Sequence, residues 1–126
     1  MNKGAYILLL HLTTRREVQA GKLGRFLFEK GWYAYVGSAM NNLDARIARH
    51  LKKEKKLHWH IDYLRQVASV EQVLRFESGD KRECQLSRKV AALADATPVK
   101  KFGASDCGCF THLYFFYKNP DLESVR

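Results

Sequence analysis

Residues 32–51 read Trp32-Tyr33-Ala34-Tyr35-Val36-Gly37-Ser38-Ala39-Met40-Asn41-Asn42-Leu43-Asp44-Ala45-Arg46-Ile47-Ala48-Arg49-His50-Leu51, and the period of their apolar residues changes partway along. Residues 32–37 are aromatic and bounded by glycine, which predicts a strand. From Asn41 onward Leu43, Ile47 and Leu51 recur every four residues, which predicts a helix packed by one side. Asn42, Arg46, His50 and Lys53 then share another face, so the spacing sets Arg46 and His50 one turn apart, away from the apolar stripe. A glycine closing a strand lets backbone approach a ligand closely, and a guanidinium with an imidazole on the next helix suits a phosphodiester.

Working outward, residues 5–12 (AYILLLHL) are apolar on both alternating faces, with Tyr6, Leu8, Leu10 and Leu12 on one and Ile7 and Leu9 on the other. That pattern predicts a strand covered on both sides. Residues 13–30 form a long excursion with a minor strand over 26–28. Leu57, Ile61, Leu64 and Ala68 fit a second helix, residues 70–76 a strand ending at the turn signal Ser78-Gly79-Asp80, and Leu86, Val90 and Leu93 the inward stripe of a third helix starting at Asp80. Residues 112–117 (HLYFFY) close the series as a strand. The fold class expected is α/β (α+β): a small central mixed or antiparallel sheet flanked by two or three helices, in a single domain over residues 1–126.

Twenty-two Lys and Arg against thirteen Asp and Glu give a formal net charge of +9, which points to polyanionic partners. The longest apolar run is far too short to span a bilayer and no cleavable leader precedes it, so the expectation is a cytoplasmic protein with no membrane partner. Three cysteines do not make the even framework of a small secreted scaffold, leaving free thiols or metal ligands. Basic charge clusters at Arg46, Arg49, Lys52, Lys53, Lys55 and Lys56, with Arg15, Arg16, Lys100 and Lys101 elsewhere. Beside a phosphate site such a run tracks a nucleic-acid backbone; alone it is solvated surface.

Gly4-Ala5-Tyr6 and Tyr35-Val36-Gly37 resemble the two half-motifs that name the GIY-YIG nuclease superfamily. Within it, the segments GKLG, KKLHWHIDYL and FGASDCGCFTHL resemble a prokaryotic branch sometimes found fused to an endonuclease III domain. The resemblance implies adjacent strands bearing the half-motifs and a DNA endonuclease using one divalent cation, Mg²⁺ or Mn²⁺. By that likeness Tyr6 or Tyr35 stands near the attacking water, Arg46 steadies the phosphate, His50 assists proton transfer and a glutamate on a later helix holds the metal. Glu83 is the first choice for that glutamate, because a helix through this region turns it toward the inward stripe. It also fits a capping box with Asp80, and Glu77 is the reserve. Gly37, Ser38, Arg49, Lys52 and Lys53 would line the nucleic acid. The twenty-eight residues between the two tyrosines exceed an ordinary hairpin connection, and Ala5 replaces the isoleucine of the motif.

The expected function is therefore metal-dependent hydrolysis of phosphodiester bonds in DNA, branched or damaged forms included, with weak sequence preference; the alternative is a non-catalytic nucleic-acid-binding module on the same fold. An ordinary phenol has a pKa near 10, so either tyrosine needs a cation nearby to act as a base. His58, His60 and Asp62 form one further cluster, and Asp106, Cys107, Cys109 and His112 another. Cys107, Cys109 and His112 with His58 or His60 would suit a structural Zn²⁺, but the spacing is not that of paired Cys-x2-Cys knuckles. Packing and hydrogen bonding, with Asp62 bonded to His58 on a shared helix face in a polar core patch and the thiols as small apolar groups, is the reading preferred.

Overall fold

The computed structural model describes residues 1–19, 21–57, 59–99 and 111–126. Strand β1 (Gly4–Leu12) runs between two partners, as its two apolar faces require. The excursion that follows holds two strands where the sequence suggests one: β2 (Arg16–Gln19) and β3 (Arg25–Phe28) pair as a separate antiparallel ladder. Strand β4 (Gly31–Ala39) returns alongside β1, and helix α1 (Leu43–Leu51) begins four residues later. Then come α2 (His60–Val67), β5 (Ser69–Glu77), α3 (Glu83–Ala91), the two-residue β6 (Thr97–Pro98) and β7 (Leu113–Phe116). The main sheet has the order β5-β1-β4-β7-β6 and every pairing is antiparallel.

The alternation in β1 sorts the core into two layers. Tyr6, Leu8, Leu10 and Leu12 meet Leu43 and Ile47 of α1 and Ile61 and Leu64 of α2. Ala5, Ile7 and Leu9 meet Leu86 and Val90 of α3, with Leu122 and Val125 from the last turn of the chain. One sheet face thus carries α1 and α2, and the other carries α3. The β2–β3 hairpin joins the first layer through Val18, Phe26 and Phe28. It is tethered where Leu12 pairs with Gly31, about 20 Å along the strand from Tyr6 at ~3.3 Å per residue. Among the described residues no helix is long and apolar enough to cross a membrane.

Three expectations need correction. Helix α3 starts at Glu83, with Arg82 as its N-cap and no side-chain cap bond, so the Asp80 capping box does not form. Asp80 instead sits in the preceding turn, its amide on the Ser78 hydroxyl. The inward stripe of α1 is Leu43, Ile47 and His50, while Leu51 is 46% exposed. Seven residues from Leu43 is nearer two full helical turns than eight, and the chain leaves the helix at Lys52, so Leu51 swings outward. His50 is consequently buried rather than displayed beside Arg46 on a solvent face.

Candidate active site

The β1–β4 register sets Tyr6 opposite Gly37 and Leu8 opposite Tyr35, so the two phenols are diagonal neighbours on one sheet face. Gly37 is what admits Tyr6. The phenol end of the ring occupies the space over Gly37, where an added Cβ would fall 2.5 Å from Tyr6 Cζ. Both half-motifs thus form one structural unit in which the glycine of the second makes room for the tyrosine of the first.

Helix α1 is started firmly. Asn42 accepts from the Ala45 amide at 3.0 Å, and Asn2 accepts from the amides of Leu43 and Asp44 at 3.0 and 2.9 Å. From this anchored start Arg46 donates to the Ser38 carbonyl at 3.1 Å, and His50 Nε2 reaches the Tyr6 hydroxyl at 2.7 Å. Tyr6, Tyr35 and Trp59 surround the His50 ring, with centroids 5.4, 6.0 and 5.8 Å away. Trp59 is a site residue that the sequence does not single out. The guanidiniums of Arg46 and Arg49 both stand over its ring, 4.6 and 4.3 Å from its centroid.

Asp62 is the fully buried acid of this half. It takes two bonds from the Arg49 fork, both 2.9 Å, one from the Trp59 amide, and an ion pair with Lys55 at 3.5 Å. A buried carboxylate with two cations and an amide is well satisfied by these partners, while His58, the hydrogen-bond partner expected for Asp62 from the sequence, lies outside the described residues. It also commits Arg49, whose pKa Asp62 raises, and Lys55, whose side chain is 6% exposed and donates to the Arg49 carbonyl at 2.8 Å. Lys52 and Lys53, just past the helix, are exposed.

The electrostatics follow from burial. Tyr6 is pushed up to about 12 by desolvation, opposed by Arg46, which hydrogen-bonds its charged form. Tyr35 is pushed up further by desolvation, then by the charges of Tyr6 and Glu83, with Arg46 opposing. His50 is pushed down to about 3 by desolvation and then by Lys55, with Asp62 opposing. The imidazole is therefore neutral at pH 7, and its Nε2 and the Tyr6 hydroxyl share one proton in a hydrogen bond whose direction is set by the ring tautomer.

Glu83 arrives from the other layer. Its helix packs on the face opposite Tyr6, yet Glu83 stands at the helix's first turn, and its charge raises both Tyr6 and Tyr35. Its side chain is 15% exposed, with Oε2 3.5 Å from His112 Nδ1 and Oε1 3.8 Å from Lys81. Glu77 ends the edge strand half-exposed, paired with Arg75 at 3.5 Å. Of the remaining candidates, His60 opens α2 and His112 is buried beside Val36, whose amide donates to its carbonyl at 2.9 Å. His58, Lys100, Lys101, Asp106, Cys107 and Cys109 lie outside the described residues.

As a donor set for a hard divalent cation, Glu83 offers one half-buried carboxylate within electrostatic reach of two phenols. That fits Mg²⁺, which is commonly held by one or two carboxylates and completes its shell with water and phosphate oxygens. A family model described as a domain of unknown function, DUF123, matches residues 5–125. No curated protein and no solved structure matches.

Proposed function

Since the chain belongs to the DUF123 family over a span that includes every residue of this cluster, we propose that the cluster is the active site of a divalent-metal-dependent endonuclease acting on DNA, of the GIY-YIG kind. One observation carries the reading. Tyr6 and Tyr35 are diagonal neighbours on one sheet face, His50 of α1 shares a 2.7 Å hydrogen bond with the Tyr6 hydroxyl, and Arg46, one turn earlier on that helix, is held at 3.1 Å on the Ser38 carbonyl at the end of the same strand. A guanidinium, an imidazole and two phenols gathered at one strand end, with a carboxylate at the start of the helix on the other face, are the kinds of group that phosphodiester hydrolysis uses.

Arg46 presents a guanidinium braced on the Ser38 carbonyl and the Trp59 ring, ready to meet phosphate oxygens as negative charge builds on them. Tyr6, held by its hydrogen bond to His50 with Arg46 favouring its charged form, would be the phenol that orients the attacking water. With its pKa pushed down to about 3, His50 is a neutral partner that holds the phenol in place through their hydrogen bond. Tyr35 walls the other side of the imidazole. Glu83 would hold Mg²⁺ or Mn²⁺, which when bound supplies Lewis-acid charge stabilisation at the phosphate. Lys52 and Lys53 extend the cationic surface along the backbone, while Arg49 is spent on Asp62.

The test is cleavage of plasmid and branched DNA with Mg²⁺ or Mn²⁺. Arg46→Ala and Glu83→Gln should each lower the rate by about 10²–10³, the range for loss of one group that stabilises transition-state charge. No cleavage with either metal, or cleavage that both variants leave intact, removes the enzyme. A second reading draws on the depth of the Tyr6–His50 pair, each 1% exposed: a non-catalytic module that binds nucleic acid on the same surface. It predicts salt-dependent binding that a chelator does not change.

A further inference from the structure

Arg46 and Arg49 belong to one helix, and the guanidiniums of both stand over a single indole, that of Trp59, 4.6 and 4.3 Å from its centroid. The two charges are thus no more than about 9 Å apart, roughly one Debye length in physiological salt, so they repel and each needs something to set its place. Asp62 does this for Arg49, taking one bond from its fork on each oxygen, both 2.9 Å, while the Lys56 carbonyl accepts another at 3.0 Å. Arg46 is held differently. It donates to the Ser38 carbonyl at 3.1 Å, and among the described residues no carboxylate forms an ion pair with it.

Both the ring and the helix beneath it are tied down. The Trp59 amide donates to the Asp62 carboxylate at 2.9 Å and the Trp59 carbonyl accepts from the Asp62 amide at 3.0 Å, which seats the tryptophan as the N-cap of α2. Its indole leans on His50, centroids 5.8 Å apart. Helix α1 is held at its start by Asn2 and Asn42, and at its end Lys55 donates to the Arg49 carbonyl at 2.8 Å and Arg65 to those of His50 and Leu51 at 3.1 and 2.9 Å. The place of the Arg46 guanidinium therefore follows from the place of the ring. A carboxylate would fix an arginine by occupying its fork and cancelling its charge; a π face attracts the same cation and does neither.

We propose that Trp59 is the positioning residue for Arg46: the indole sets the guanidinium in place while leaving its charge and its fork to meet a phosphate. Asp62 serves the same end twice, anchoring the indole through the main chain of Trp59 and committing Arg49, so that of two arginines sharing one ring Arg46 is the one turned to the anion. That the anion is the scissile phosphate of DNA rests on the nuclease reading; that the ring places the guanidinium does not.

The test compares Trp59→Leu, Trp59→Phe and Arg46→Ala in the full chain. By NMR the Arg46 side-chain resonances, assigned by their loss in Arg46→Ala, should be displaced by the indole ring current in the unaltered chain, keep a weaker displacement in Trp59→Phe and return to the values of a solvated arginine in Trp59→Leu. In cleavage of plasmid DNA with Mg²⁺, Trp59→Leu should lower kcat by about 10²-fold with KM little changed, the loss expected when a reacting group is misplaced by about 1 Å, and Trp59→Phe should recover most of it. Arg46→Ala combined with Trp59→Leu should be no slower than Arg46→Ala alone, because both losses pass through one guanidinium; a tryptophan that only packs would multiply them. Should Trp59→Leu fail to fold, the displacements in the unaltered chain and in Trp59→Phe still decide. Arg46 resonances at solvated values in the unaltered chain, displacements that Trp59→Leu leaves in place, or multiplied losses in the double variant overturn the proposal. A chain with the expected displacements that cuts no DNA with Mg²⁺ or Mn²⁺ ends the nuclease reading alone and leaves Trp59 as the support of Arg46.

Discussion

Two histidines sit close to the same strand ends, on opposite faces of one sheet, and their surroundings are reversed. His50 is enclosed by three aromatic rings, with desolvation first and then Lys55, Arg46 and Arg49 lowering its pKa against Asp62, and its Nε2 shares a hydrogen bond with a phenol. His112 has a carboxylate at one nitrogen and a thiol at the other. Equal burial therefore gives two different reagents. The first is a neutral imidazole in cationic surroundings, suited to holding a phenol still; the second stands between an acid and a thiol.

The largest effect on this contrast should come from Asp62, the only buried acid on the His50 side among the described residues. Asp62→Ala strands Arg49 and Lys55, and chemical denaturation should register a loss of about 3–5 kcal/mol, the range for breaking a buried pair by removing one partner. Gly37→Ala comes next. The added methyl occupies the space of the Tyr6 ring, costs about 1–3 kcal/mol by overpacking, and should disrupt the Tyr6–His50 hydrogen bond, detectable by NMR of the imidazole.

A smaller signature separates the histidines by pH. His50 has a folded pKa below its unfolded value, so the unfolded chain binds more protons between about 3 and 6.5. Its contribution is fully present above pH 6.5 and is lost as pH falls toward 3, with a slope of at most about 1.4 kcal/mol per pH unit. His50→Gln, which keeps an acceptor for Tyr6, should remove that part of the slope; an unchanged slope would mean His50 is not the titrating group. Smallest of all, Lys52→Gln with Lys53→Gln should leave stability untouched and lower the salt slope of DNA binding by about 0.9 for each phosphate that these lysines neutralise.

The sequence is legible where a side chain's neighbours are set by period alone. The two faces of β1 separate into the two core layers as the alternation of residues 5–12 requires, and the inward turn of Glu83 follows from its spacing to Leu86 and Val90. It misleads where a polar residue occupies an apolar position because a distant partner exists. Leu51 outranks His50 on hydrophobicity, and nothing local announces that Tyr6 will offer His50 a hydrogen bond across forty-four positions. Arg49 reads as surface charge for a similar reason, since Asp62 lies thirteen residues on and becomes its partner only once α2 folds back. Trp59 leaves a weak signal, an aromatic among polar neighbours soon after a run of cations. Cys84 leaves one too, a thiol adjoining the candidate acid, but its histidine lies twenty-eight residues away.

The fit of the Tyr6 ring over Gly37 also bears on how this chain can be altered. Slippage of β4 by one step would bring Val36 or Ser38 beneath the ring, so alignment of the two strands is keyed at the end remote from the segment that joins them. That segment is relieved of any duty to measure the pairing. Circular permutation or a reporter peptide introduced within the β2–β3 hairpin should leave the alignment of β1 and β4 intact, which makes the hairpin the natural place to attach a label without disturbing the phenols.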